Sequence, residues 1–159
     1  MGLCIDEEII LLNLKAADSA DVISRMGERV LKAGLVREDF IEAVVRREQK
    51  YPTALPTKIP VALCHTDAEY LLGSFIGAAT LAEPVPFREM GNPEHTQPVE
   101  IVFLLGIAVK GEHMDVLKSV LKLIQDEPVL RAVREAESAA EIKKILVGYL
   151  MPGSAAEST

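Results

Sequence analysis

The spacing of apolar residues changes several times along the chain, and each change predicts an element. Ile9 to Leu14 form a short apolar run before a polar Ala-Asp-Ser segment, which fits a first strand. From Ser19 the pattern turns helical, with Val22, Ile23, Met26, Val30 and Leu31 on one face. Ser19 is placed as the N-cap, and Gly34 stands where a C-terminal glycine belongs. A second helix is expected from near Arg37 to about Glu48, with Phe40, Ile41, Val44 and Val45 inward. Tyr51-Pro52-Thr53 ends it, because proline pushes the preceding residue out of helical geometry. Ile59 to Leu63 is apolar and partly β-branched, and predicts a short buried strand that delivers Cys64 and His65 to its end.

A further strand is expected over Leu72–Leu81, then a turn at Glu83-Pro84-Val85-Pro86 and a surface loop over Gly91–Pro98. Val99–Ala108 is nearly continuous apolar sequence, which suits a strand covered on both faces. Gly111 opens an amphipathic helix with Met114, Leu117, Val120, Leu121 and Ile124 inward. Pro128 begins a short helix through Arg134. The last helix runs from Ser138 to Leu150, and Ser138 to Glu141 matches the S-x-x-E capping box. Strands with helices before and after them predict a mixed α+β chain of the α/β/α sandwich type, a sheet between two helical layers. The two longest strands follow one another without a crossover helix, so the sheet is expected to be mixed, with about four to five strands. One domain over residues 1–152 and a frayed polar tail over 153–159 complete the expected layout.

Composition narrows the function. Of 159 residues, 49% are hydrophobic and 26% charged, the balance of a soluble globular domain. The net charge of −7 argues against a nucleic-acid partner, which needs a positive footprint for phosphates. No apolar run is long enough to cross a bilayer, and Met1–Glu8 lacks the basic start of a signal peptide. Two cysteines, Cys4 and Cys64, are too few for a disulfide framework. A reduced, cytoplasmic protein without direct membrane insertion is expected.

Chemistry is scarce. The histidines are His65, His95 and His113. His65 follows a buried strand directly, and strand ends are where sheet-based sites gather reactive groups. A neutral imidazole is also a nucleophile that titrates near neutral pH. Position alone nevertheless favours a structural, hydrogen-bonded histidine. His113 falls at the mouth of a helix, where free N–H groups hold anions, or it is simply an exposed first-turn residue. Arg47 ends the second helix just before the chain turns toward His65, and a guanidinium fork suits phosphate oxygens. Arg47 and its neighbour Arg46 equally fit a solvated helix end. Gly106 to Gly111 has the G-x-x-x-x-G spacing between strand and helix, but Glu112 and His113 replace the lysine and hydroxyl that nucleotide binding requires. Cys64 and His65 alternate on a strand and should not share a ligand position, and there is no C-x-x-C or H-x-x-x-H pair for zinc. No metal or other cofactor is expected. Cys64 reads as a core residue, and His95 is given no role.

Three segments resemble a known family. Arg46-Arg47-Glu48-Gln49-Lys50-Tyr51-Pro52-Thr53-Ala54-Leu55 is similar to an R-E-x-x-x-P-T-x-L signature. Ile59-Pro60-Val61-Ala62-Leu63-Cys64-His65-Thr66 resembles the segment around the phosphorylated histidine of enzyme IIA domains of the bacterial phosphoenolpyruvate-dependent sugar phosphotransferase system, fructose–mannitol class. Leu105-Gly106-Ile107-Ala108 through His113-Met114-Asp115-Val116-Leu117 resembles that family's second histidine motif. The resemblance covers roughly residues 5–150, and within the class the aromatic-Pro-Thr run looks most like the galactitol-type subgroup.

The resemblance implies a phosphoryl carrier. His65 matches the phosphoacceptor, attacking through Nε2; Arg47 matches an arginine near the phosphate, and His113 the second active-site histidine. It implies that phosphate arrives from the histidine phosphocarrier protein and leaves to a cysteine of a cognate enzyme IIB, which serves a membrane-embedded enzyme IIC. Cys64 departs from the family, which usually has proline there; it lacks proline's fixed φ and adds a backbone N–H. Beside a phosphohistidine it would also be a candidate for redox sensitivity. Two alternatives stand: a regulatory, nitrogen-type IIA module, and a non-catalytic protein-binding domain of the same fold.

Overall fold

The computed structural model describes residues 3–107 and 114–151. After a 3₁₀ turn at Glu7–Ile9 come strand β1 (Ile10–Leu14), helices α1 (Ser19–Lys32) and α2 (Phe40–Lys50), and strands β2 (Ala54–Leu55) and β3 (Val61–Cys64). A second 3₁₀ turn (Ala68–Tyr70) leads to β4 (Phe75–Glu89) and β5 (Asn92–Gly106), followed by α3 (Met114–Leu123), α4 (Glu127–Glu135) and α5 (Ala139–Leu150).

The five strands form one mixed sheet, as the missing crossover between the two longest strands implied. β4 and β5 pair antiparallel as a long hairpin. β1 lies parallel on β4 and β3 parallel on β5, with Leu63 opposite Phe103 and Cys64 opposite Leu104. β2 pairs antiparallel with β3, and its Ala54 also meets Glu89 at the far end of β4. The outer half of the hairpin therefore curls back toward β2, and the register break between Thr80 and Val85 marks the bend.

Strand alternation divides the core into two layers. Val61, Leu63, Ile101, Phe103 and Leu105 face α3, α4 and α5, where Val120, Leu123, Leu130, Val133, Ile142 and Leu146 meet them. Ala62, Cys64, Val102 and Leu104 face α1 and α2, against Val22, Ile23, Met26, Phe40 and Val44. This is the three-layer α/β/α arrangement expected from the element order.

Several boundaries differ. Asp18, not Ser19, caps α1; its carboxylate accepts the Asp21 N–H at 2.8 Å, and Gly34 follows in the left-handed region at φ 76°. α2 begins at Phe40 because Arg37 donates its N–H to Tyr70 instead of starting the helix, beside a bridge between Val36 and Leu71. Glu83–Pro86 is not a turn, and Gly91–Pro98 is not a loop. Both belong to the hairpin, whose turn is only Met90-Gly91. Pairing with the opposite arm, Val85 to Val99 and Phe87 to Gln97, overrides the local turn chemistry. Ser138 caps α5 as the capping box implied, its hydroxyl accepting the Glu141 N–H at 3.2 Å. The expected helix start at Gly111 and the tail over 153–159 lie outside the described residues.

Candidate functional site

The site grows from the C-terminal end of β3. That strand is buried on both faces, so its path is fixed by packing from each side. The chain then emerges at His65, which is half-buried. His65 Nδ1 lies 2.8 Å from the Leu63 carbonyl oxygen. A carbonyl only accepts, so Nδ1 carries the proton and Nε2 keeps its lone pair. Burial pushes the His65 pKa below its ordinary 6.5; the Leu63 hydrogen bond works against that, the Arg47 charge adds to it, and Asp67 opposes it. The ring is thus neutral and nucleophilic at neutral pH.

Arg47 comes from the last turn of α2. Its guanidinium packs over the Tyr51 ring at 5.4 Å, and Nη1 lies 3.7 Å from an Asp67 carboxylate oxygen. Its Nε is buried and, among the described residues, has no hydrogen-bond partner. A buried N–H without an acceptor is costly, and an arriving anion would satisfy it. Arg46 behaves differently: it pairs with Glu42 one turn away, 3.5 Å apart, on an exposed face. The two adjacent arginines that sequence left undivided therefore differ in burial and in partners. Arg46, Arg47, Lys50, Tyr51, Thr66 and Asp67 border an open depression of about 290 Å³, shallow enough for a group presented by another macromolecule.

His113 lies outside the described residues. β5 runs parallel to β3 and adjacent to it, so Gly106 and Ile107 lie at the same end of the sheet as His65. His95 is exposed on the hairpin.

Sequence reasoning gave no role to Glu48 or Thr53. Glu48 is 7% exposed and Thr53 3%, and their hydrogen bonds reach the end of β3 at Leu63 and Cys64. Glu48 Oε2 accepts the Thr53 N–H at 3.0 Å, and Oε1 accepts the Thr53 hydroxyl at 2.8 Å. Thr53 Oγ1 in turn accepts the Leu63 N–H at 3.2 Å. The Cys64 thiol, fully buried, donates to Glu48 Oε1 over 3.8 Å. Burial raises the Glu48 pKa, against the hydrogen bonds from Thr53 and Cys64. Burial also pushes the Cys64 thiol well above 9.0, with the Glu48 charge adding to it. A signal was available, since Glu48 continues the buried Phe40–Val44 stripe of α2 at four-residue spacing. A carboxylate on an apolar stripe needs partners.

Comparison with known proteins bears on the family and the fold. The family profile described as "Phosphoenolpyruvate-dependent sugar phosphotransferase system, EIIA 2" matches residues 4–148. The mannitol-specific EIICBA component of Escherichia coli K12 is 29% identical over 143 residues, which is 89% of this chain and 22% of that protein. The chain thus spans about a fifth of the length of the first curated relatives it matches. The mannitol-specific phosphotransferase enzyme IIA component of Staphylococcus aureus N315 is 28% identical over 137 residues, covering 86% of this chain and 90% of that one. The crystal structure of mannitol IIA from Escherichia coli superposes with a TM-score of 0.73 at 25% identity, over 91% of this chain and 99% of that one. The IIA in a complex of Escherichia coli enzyme IIA and phosphorylated enzyme IIB for mannitol shares the fold, with a TM-score of 0.72 at 24% identity over 92% of this chain and 99% of that one. With a profile match over nearly its whole length, this chain belongs to the EIIA 2 family of the phosphoenolpyruvate-dependent sugar phosphotransferase system.

Proposed function

We propose that His65 is the phosphoacceptor of a IIA phosphoryl carrier. The observation that carries the reading is an Nε2 left unprotonated by the 2.8 Å contact of Nδ1 with Leu63, together with an arginine whose buried Nε lacks an acceptor among the described residues. The Nε2 lone pair attacks phosphorus of the phosphocarrier's phosphohistidine. A new N–P bond forms as the donor's N–P bond breaks, and the electron pair leaves with the donor nitrogen. Phosphoryl transfer of this kind depends on positioning and on charge stabilisation. Arg47 supplies the charge and two N–H directions toward the phosphoryl oxygens. His113 is assigned as the second stabilising histidine through the family resemblance. In the second step a cysteine thiolate of enzyme IIB attacks the same phosphorus, and His65 Nε2 departs with its pair restored.

Enzyme IIB is the proposed acceptor because the mannitol IIA with this fold forms a complex with phosphorylated IIB. Enzyme IIC, reached through IIB, is the proposed end of the chain; the Escherichia coli relative carries C, B and A components in one polypeptide. No helix among the described residues is long and apolar enough to cross a membrane, consistent with a carrier that works at the cytoplasmic face. The names of these relatives point to mannitol, not to the galactitol that the aromatic-Pro-Thr run suggested. The likeness to the nitrogen regulatory IIA of Neisseria meningitidis is one of fold, at 20% identity, and does not favour a regulatory role.

The test incubates the chain with phosphoenolpyruvate, enzyme I and the phosphocarrier. An acid-labile, base-stable phosphate is expected on the wild type and none on His65→Ala, with discharge when a mannitol IIB is added. Persistent label on His65→Ala, or none on the wild type, overturns the assignment.

A further inference from the structure

We infer that Glu48 and Thr53 are positioning residues that set the tautomer of His65 through the backbone of Leu63. The inference rests on His65 being the phosphoacceptor. Leu63 is held on both sides: its N–H donates to Thr53 Oγ1 at 3.2 Å, and its carbonyl oxygen accepts from His65 Nδ1 at 2.8 Å. Thr53 is held for this task from two sides. Its hydroxyl hydrogen is taken by Glu48 Oε1 at 2.8 Å and its own N–H by Oε2 at 3.0 Å, so the lone pairs of Oγ1 are left facing Leu63. The carboxylate thus reaches the nucleophile in three hydrogen bonds, Glu48 to Thr53 to Leu63 to His65.

The arrangement is more than filler for a buried strand end. β3 already has its neighbours, with Ala62 opposite Ala54 on one side and Leu63 opposite Phe103 on the other. A buried carboxylate costs stability that an apolar residue on the Phe40–Val44 stripe would not. What it adds is direction. Pairing with β5 continues through Cys64, but pairing with β2 ends at Ala62, so on that side the Leu63 N–H is held by Thr53 and not by the ladder. Anchoring Leu63 N–H through Thr53 restrains the carbonyl that holds Nδ1–H, and so keeps the lone pair on Nε2. The Cys64 thiol donates to the same Oε1 over 3.8 Å and braces the carboxylate from the strand side.

The experiment uses the full chain labelled with ¹⁵N in histidine, with His65→Ala identifying the His65 ring signals. Wild type is expected almost wholly in the Nδ1–H form. Thr53→Val keeps the shape and removes the hydroxyl; the Nε2–H form is expected to rise at least about fivefold, and kcat for accepting phosphate from the phosphocarrier to fall about tenfold at unchanged KM. Thr53→Ser, which restores the hydroxyl, is expected to recover both. Glu48→Gln puts an amide hydrogen against one of the Thr53 donors, and is expected to shift tautomer and kcat in the same direction. It is judged by the same limits, so a misfolded Thr53→Val does not spare the inference. A wild-type tautomer in either folded variant, or a tautomer shift with kcat within twofold, overturns it. If the wild type takes no phosphate on His65, the proposed function fails, while the tautomer comparison still judges the link.

Discussion

Gly106→Ala tests whether packing or phosphate binding explains the glycine that begins the G-x-x-x-x-G spacing. Gly106 is not among the glycines with positive φ, which are Gly34 and Gly91, so it is needed for space and not for conformation. A Cβ placed on it would collide with one edge of the Phe75 ring, overlapping Cδ1 and Cε1 and lying 2.5 Å from Cζ. Carbon atoms pack best at about 3.5–4.0 Å, so the overlap is at least about 1 Å. The ring has little freedom to move. Phe75 is fully buried, meets Phe40 edge-on with centroids 6.0 Å apart, and sits on a backbone paired directly to Gly106. Overpacking costs about 1–3 kcal/mol, and three ring atoms in conflict place this case near about 3 kcal/mol. For a chain of this size that lowers Tm by about 6–12 °C. Urea unfolding followed by fluorescence and circular dichroism measures the loss. Phe75→Leu should relieve the conflict, so the double variant is expected to be at least about 1 kcal/mol more stable than the sum of the single losses. Gly106→Ala within about 0.5 kcal/mol of wild type, or strict additivity, refutes the reasoning.

Arg47→Lys keeps the charge but loses Nε and the planar fork, and the rate of phosphate acceptance is expected to fall about a hundredfold in a rapid-quench assay; a loss below threefold contradicts the role given to the guanidinium. Because burial holds the folded His65 pKa below the ordinary 6.5, the unfolded chain takes up that proton first as pH falls. Its contribution to stability is therefore complete above pH 6.5 and lost as pH falls through the folded value; His65→Gln should flatten urea midpoints between about pH 5 and about pH 7, and an unchanged slope refutes the assignment. Cys64 is fully buried with its thiol pKa well above 9.0, whereas Cys4 is half-buried. A thiol reagent should modify native Cys4 well before Cys64, and both after denaturation; equal native rates would restore the redox sensitivity that sequence raised for Cys64.

Local patterns carried the elements whose partners are apolar and close. Val61, Ala62, Leu63 and Cys64 are buried on both faces, so a short apolar run was enough to find β3 and to place His65 at its end. α1 and α5 announced themselves by periodicity and, for α5, by Ser138. The hairpin from Glu83 to Pro98 was misread because its outer arms are largely exposed and rich in proline, and their strand character comes from each other across the turn. A faint hint was present in Val85 and Phe87, buried at alternate positions. The same distinction divides the site. His65 and Arg47 were visible as residue types at element ends, but the division of labour between Arg46 and Arg47 needed the helix face, and Tyr51 beneath the guanidinium needed the turn after α2. The Glu48, Thr53, Leu63 and Cys64 hydrogen bonds join residues up to 16 positions apart, and only the fold brings them together.

The most direct test of the central claim is where the phosphate sits. Heteronuclear ¹H–¹⁵N spectra of the phosphorylated, histidine-labelled chain separate the two ring nitrogens. With His65 Nδ1 held by Leu63 at 2.8 Å, phosphate is expected on Nε2 of His65, with Nδ1 still protonated. Phosphate on Nδ1, or on any other residue, contradicts the account.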